Sequence, residues 1–265
     1  RPPMVVSPRL LLPRFDTTRM AAHRALPSIV ATAVMLCLAA APVADSAATV
    51  GEHPSEHPSI DPSTLGGDVA RALDHEAWAR LQVLGEISDA SDALERTFLS
   101  PAARRAMDKI AEWMRDAGMT TSVDEAGNVH GRVQGSDPRA KVLLIGSHLD
   151  TVRDAGKYDG ALGVIVGIAA VKALVLEAAA SGVPLTRPVA VVAFCDEEGV
   201  RFSSTFLGSR AVVGAIPEKV FAARDAEGKT FLDALRDGGF QGTRDAVATA
   251  NLAGTLEAYV EVHIE

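Results

Sequence analysis

Cysteine is almost absent from this chain: only Cys37 and Cys195 occur in 265 residues, and Cys37 lies in an apolar run near the N-terminus. A protein exported by way of that run keeps one thiol and no internal disulfide, so a packed core must hold it together. Cys195 reads as a small buried hydrophobe, although it stands beside Asp196. Aromatic residues are scarce at 5%, and there is neither a basic stripe nor a ladder of stacking rings. Lysine is missing from residues 1–47, which hold five Arg against Asp16 and Asp45, a local charge of +3; subtracting this from −8 leaves −11 on the remainder. An acidic body of this kind argues against non-specific nucleic-acid binding and says little about substrate. Internal repeats are also absent.

What is present divides into three parts. Met20 begins a short basic stretch (His23, Arg24), followed by an apolar run from Ala25 to Ala41. Ala44-Asp45-Ser46 and Ser46-Ala47-Ala48 then offer small side chains where a signal peptidase reads. Residues 1–48 are therefore expected to be an extension plus a cleaved signal peptide, and the protein to be exported, periplasmic or secreted. The alternative is an N-terminal membrane anchor, because Ala25 to Ala44 is nearly long enough to span a bilayer. Pro27, Pro42 and the abundance of Ala count against it, so no stable membrane insertion is expected after cleavage. Residues 1–19 read as upstream sequence from a misplaced start. Residues 49–67 are rich in Pro, Ser, Gly and His and read as a linker, with Glu52, His53, Glu56 and His57 as solvated positions within it.

Residues 68–265 carry the periodic patterns of a folded domain. A helix is predicted from Asp68 to Glu86, with Ala72, Trp78, Leu81 and Leu84 as its apolar stripe. Ser100-Pro101 signals a helix start and Gly118 its end. Met119–Asp124 and Val129–Val133 form a predicted hairpin. Lys141–Gly146 and Val189–Phe194 are apolar runs suited to buried strands, separated by a long apolar helix from Ala161 to Ala180. Further helices are expected near Phe206–Ala215 and Thr230–Asp237. Leu256–Ile264 alternates, placing Glu257, Tyr259, Glu261, His263 and Glu265 on one face. Strands alternating with long helices predict an α/β sheet covered by helices on both faces.

Three apolar strands each run into side chains that bind metals, and sites in open α/β sheets gather at the strands' carboxyl ends. His148 and Asp150 lie two apart, so in an extended segment they point the same way. One can hold a metal while the other orients it through the second ring nitrogen. Asp159 follows His148 by eleven residues, just ahead of the long helix, where it could equally be a cap. Asp196-Glu197-Glu198 follows the second buried strand, and three adjacent acids there repel one another unless cations balance them. His263 closes the set. Hard oxygen and imidazole ligands in this mixture suit two divalent metals bridged by a carboxylate, Zn²⁺ or Mn²⁺, with a spare Glu as general base.

Gly146-Ser147-His148-Leu149-Asp150-Thr151-Val152, Tyr158-Asp159-Gly160-Ala161-Leu162-Gly163-Val164, Asp196-Glu197-Glu198-Gly199-Val200-Arg201-Phe202, Phe206-Leu207-Gly208-Ser209-Arg210-Ala211 and Val262-His263-Ile264-Glu265 stand in the same order as in a known family. Over roughly Leu73 to Glu265 the chain resembles the N-carbamoyl-L-amino-acid hydrolases, β-ureidopropionases and allantoate amidohydrolases. The resemblance implies a metal-dependent hydrolase of a linear amide C–N bond acting on a small N-carbamoyl or ureido acid. It implies that His148 and His263 hold one metal, Asp159 bridges, Glu198 holds the second, Glu197 is the general base and Asp150 supports His148. Arg201 and Arg210 are candidates to face an anionic substrate, and Gly163 and Gly208 to permit close packing. Related peptidases and aminoacylases carry a longer gap before the bridging Asp and an acid in place of His263, so they are the second choice. The family continues past His-Ile-Glu with a lid and dimerisation domain, a last His ligand and a substrate-gripping Arg. The chain is therefore expected to be a fragment that holds at most one tight metal and turns nothing over alone, with homodimerisation confined to the full-length enzyme.

Overall fold

The computed structural model describes residues 67–264. The expected signal peptide, Cys37 and the linker up to residue 66 lie outside the described residues, as does Glu265, while Gly67 already belongs to the first helix. Five strands, β1 (Thr120–Val123), β2 (Val129–Val133), β3 (Val142–His148), β4 (Val189–Phe194) and β5 (Leu256–Glu261), form one sheet in the order β1-β2-β4-β3-β5. β1 and β2 are the predicted hairpin, and β2 pairs antiparallel with β4. β3, β4 and β5 are parallel. Every residue of β3 and β4 is buried, as uninterrupted apolar runs in the middle of a covered sheet require. β5, at the sheet edge, alternates between half-buried and exposed positions. It ends at Glu261, earlier than the predicted Ile264, so His263 lies just past the strand.

α1 (Gly67–Gly85), α2 (Pro101–Asp116) and α3 (Ala161–Ser181) cover one face and make the larger core with Ile145, Val191 and Val129. α3 is apolar all round and mostly buried, the signature of a core helix rather than an amphipathic one, and it ends at Gly182 in the left-handed conformation. By length and composition alone it could cross a membrane. Ser100 caps α2 by accepting from Ala103 N–H, with Pro101 next, as the sequence predicts. The stripe of α1 differs from expectation: Leu73, Ala77, Leu81 and Leu84 are buried, whereas Ala72 and Trp78 face solvent. Trp78 stacks instead on Tyr158, with ring centroids 6.0 Å apart. Glu76, Arg80, Asp116 and Lys172 tie the three helices together in one charge network.

The other face is covered more thinly, by Val212 of α4 (Leu207–Val212) with Leu252 and Leu256. Beside it a second core gathers Phe98, Phe202 and Phe231, the last from α5 (Phe231–Asp237), and Val247 of α6 (Arg244–Ala248). Phe98 and Phe231 stack at 5.5 Å, and Phe202 meets Phe231 edge-on at 5.8 Å. The expected α/β sheet with helices on both faces is thus the observed one.

Candidate metal centre

Register alone brings the ligand candidates to one edge. His148 pairs with Phe194 and Gly146 with Glu261, so two residues beyond each partner stand Asp150, Asp196 and His263. All three parallel strands end on the same side, where the chain must leave the sheet.

His148 is buried, and its Nδ1 donates to the backbone carbonyl of Asp150 at 2.9 Å. With that proton assigned to Nδ1, the Nε2 lone pair points at His263 Nε2 (3.2 Å) and Asp159 Oδ1 (3.3 Å). His263 Nε2 lies 3.2 Å from the same carboxylate oxygen. Ligand atoms about 2.0 Å from a tetrahedral centre lie about 3.3 Å apart, the spacing of this triangle. Asp159 is not spent as a helix cap: Gly160 occupies that position, without a side-chain bond, so the carboxylate is left for the imidazoles. Gly160, at φ +63°, is needed there because a Cβ would strike the His148 ring. The donor set therefore fits a divalent cation. A second group joins His148, Glu197 and Glu198, whose ligand atoms all lie within 4.8 Å of one another.

The electrostatics agree. Burial alone would lower the pKa of His148, but the Asp150 and Glu197 charges outweigh it and hold the ring up at about 9. Burial raises both Glu197 and Glu198, with neighbouring carboxylates adding to the rise and His148 opposing it. Three acids in such proximity carry more negative charge than the one raised imidazole balances.

Asp150 behaves differently from the expectation that its carboxylate orients His148. The backbone carbonyl makes that bond, and the carboxylate stands 3.7 Å from Nδ1. Its oxygens accept instead from Glu197 N–H (2.9 Å) and Glu198 N–H (3.1 Å), fixing the acidic pair. Asp150 thereby positions the backbone of Glu197 and Glu198. The Arg201 guanidinium bonds Asp225 (3.0 and 2.9 Å) and the carbonyl of Phe98 (2.9 Å), which ties it to the second core. Arg210 lies over the Phe206 ring, 5.9 Å from its centroid. Cys195 is buried, as expected, and its thiol donates to the Ala126 carbonyl at 3.0 Å. Gly163 and Gly208 do permit close approach: a Cβ on the first would strike Val262 and Ser147. The sequence reading missed Glu261, which accepts from Ser147 (3.2 Å) and Tyr259 (2.8 Å) beside the His263 ring. It also missed Arg96, buried and bonded to the carbonyls of Leu84, Ile87 and Leu149, which locks the end of β3 to α1. The alternation of β5 placed Glu261 on the His263 face; nothing local marked Arg96.

Comparison with known proteins finds relatives over most of the described chain. Residues 128–233 match the model of Peptidase family M28. Allantoate deiminase of Arabidopsis thaliana is 50% identical over 194 residues, covering 73% of this chain and 37% of the relative. N-carbamoyl-L-amino acid amidohydrolase of Geobacillus stearothermophilus is 42% identical over 189 residues, covering 71% and 45%. The crystal structure of a hydantoinase/carbamoylase family amidase from Burkholderia ambifaria superposes with a TM-score of 0.62 at 38% identity, over 72% of this chain and 45% of that one. The chain thus spans less than half the length of the relatives it matches, and over that span the resemblance read from the motifs is borne out.

Proposed function

We propose, on the premise of this homology with the N-carbamoyl-amino-acid and allantoate amidohydrolases, that the complete protein hydrolyses a linear amide C–N bond in a small N-carbamoyl or ureido acid. The observation that carries the reading is the convergence of His148, Asp159 and His263 beside Glu197 and Glu198. His148, Asp159 and His263 would hold one divalent cation, and Glu198 would contribute to a second position beside it. Zn²⁺ and Mn²⁺ both suit these donors. Bound there, a divalent cation supplies Lewis acidity to the scissile carbonyl.

Glu197 does the proton work. Its carboxylate is held above the ordinary range by burial, which suits a base that must accept a proton and return it near neutral pH. It takes a proton from the attacking water as the C–O bond forms, and delivers it to the nitrogen as the C–N bond breaks. Asp150 keeps Glu197 in place through the backbone.

In the complete protein, Glu197→Gln should lower turnover by about 10²–10⁴-fold while metal content stays unchanged. Turnover within a fewfold of the parent would remove Glu197 from this role. The match to Peptidase family M28 favours a second reading, an exopeptidase. Ammonia release from a carbamoyl acid, against amine release from a dipeptide, separates the two. The complete protein is further proposed to be an exported homodimer. N-terminal sequencing and sedimentation of the mature protein test this: a start before Ala44, or a monomer, would count against it.

A further inference from the structure

The acidic segment after β4 is held from three directions, and only one of them belongs to the metal centre. Asp150 takes the amides of Glu197 and Glu198. Upstream, the amide of Cys195 is buried and donates to Asn128 Oδ1 at 3.0 Å. Asn128 is fully buried at the turn of the β1–β2 hairpin. Its Nδ2 donates to Gly208 O (3.1 Å) at the start of α4 and to Asp124 Oδ2 (2.8 Å). Asp124 is fixed in turn, accepting from the amides of Ala126 and Asn128 (both 2.9 Å), with His130 Nε2 2.8 Å away. From the other side, three successive amides of Phe206, Leu207 and Gly208 donate to the carbonyls of Glu197, Asp196 and Cys195 at 2.8–3.0 Å.

We infer that Asn128 is a positioning residue for the metal-binding carboxylates, joining hairpin, strand end and α4 so that Glu197 and Glu198 face His148. An amide side chain is required here, because the position must accept from one backbone amide while donating to a carbonyl and a carboxylate. Aspartate keeps the acceptor but loses both donors and adds a charge beside Asp124. Gly208 is the complementary half of the joint: a Cβ there would overlap Asn128 Oδ1 and the Cys195 backbone. Hairpin and α4 thus meet the segment at this one contact, and outer groups that orient ligands typically change metal affinity by 10–100-fold.

The inference rests on the proposed metal centre, and Zn²⁺ titration of the chain separates the two. The parent should bind Zn²⁺ tightly; if it does not, the metal reading itself fails. Asn128→Ala and Gly208→Ala should each weaken Zn²⁺ by at least about tenfold. Each should also shift the visible spectrum of bound Co²⁺, because the carboxylates are displaced. Thr230→Ala, which removes the capping box that Thr230 forms with Asp233 at the start of α5, controls for loss of stability. Weakening confined to the two joint variants supports the inference. A parent that binds Zn²⁺ alongside variants of equal affinity and unchanged Co²⁺ spectra overturns it, as does equal weakening in the control.

Discussion

Two buried aspartates stand level with each other at the ends of the central strands, and only one is well partnered. Asp150, past β3, accepts two backbone amides at 2.9 and 3.1 Å. Asp196, past β4, is 1% exposed, and neither carboxylate oxygen makes a well-formed hydrogen bond among the described residues, although the Gly199 amide lies near enough to ease its ionisation. Its backbone sits at φ +50°, an uncommon conformation for a residue with a side chain. Burial, then the charge of Asp150, push Asp196 up to about 8, with Arg201 opposing. The turn that lets Glu197 and Glu198 point inward leaves the preceding carboxylate stranded. Unsatisfied buried groups of this kind are found where a site has been kept at the expense of stability.

Removing the partnered aspartate should have the largest effect. Asp150→Ala leaves the amides of Glu197 and Glu198 unpaired, at about 1–3 kcal/mol each, and frees the acidic pair. Zn²⁺ affinity of the chain should fall by roughly 10–100-fold, read by calorimetric titration. An unchanged affinity would mean that the amide bonds to Phe206, Leu207 and Asn128 suffice, and that the contrast between the two aspartates is irrelevant to the site.

Removing the orphan should do the opposite. A carboxyl whose folded pKa is about 8, against the ordinary 3.8, stays protonated in the fold while the unfolded chain releases its proton. Unfolding then releases a proton between pH 4 and 8, so this group costs progressively more stability as pH rises through that window. Asp196→Asn removes the ionisation and tolerates the left-handed backbone. In the metal-free chain its unfolding temperature should exceed the parent's by a margin that grows from about pH 4 to about pH 8. His148, raised to about 9, also loses stability with rising pH above its ordinary 6.5, but it is common to both proteins and cancels in the difference. A margin that is flat with pH, or negative at pH 8, would show that Asp196 is not stranded.

This contrast was not legible in the sequence, although much around it was. Uninterrupted apolar runs sufficed for β3 and β4, because a strand covered on both faces needs no alternation. The ligand candidates were legible because each follows a strand or precedes a helix. Which atom of Asp150 meets His148, and which backbone amides its carboxylate takes, depends on a segment 47 residues away. Asn128 reads locally as a turn residue; its buried bonds reach Cys195 and Gly208, 67 and 80 residues on. Trp78 was misplaced because helical spacing marks a stripe only to within a position or two, and a ring on its shoulder can lie over Tyr158 instead.

The two arginines on either side of the Phe206 turn give the smallest effects and the finest distinction. Arg201 spends its guanidinium on Asp225 and Phe98, so Arg201→Gln should lower the unfolding temperature by roughly 5 °C and leave Zn²⁺ affinity within about twofold. Arg210 rests on an exposed ring at 5.9 Å, a contact whose loss should cost no more than about 2 °C. Phe206 in turn donates its amide to Glu197 O at 2.8 Å, which keeps Arg210 one helical turn from the acidic segment. A cation so placed and so weakly committed is the better candidate for an anionic substrate group. In the complete protein, Arg210→Ala should therefore raise KM by about tenfold, the loss of one charge-assisted contact, with little change in kcat. An unchanged KM would reduce Arg210 to a surface residue, and the grip on the substrate would have to come entirely from elsewhere in the complete protein.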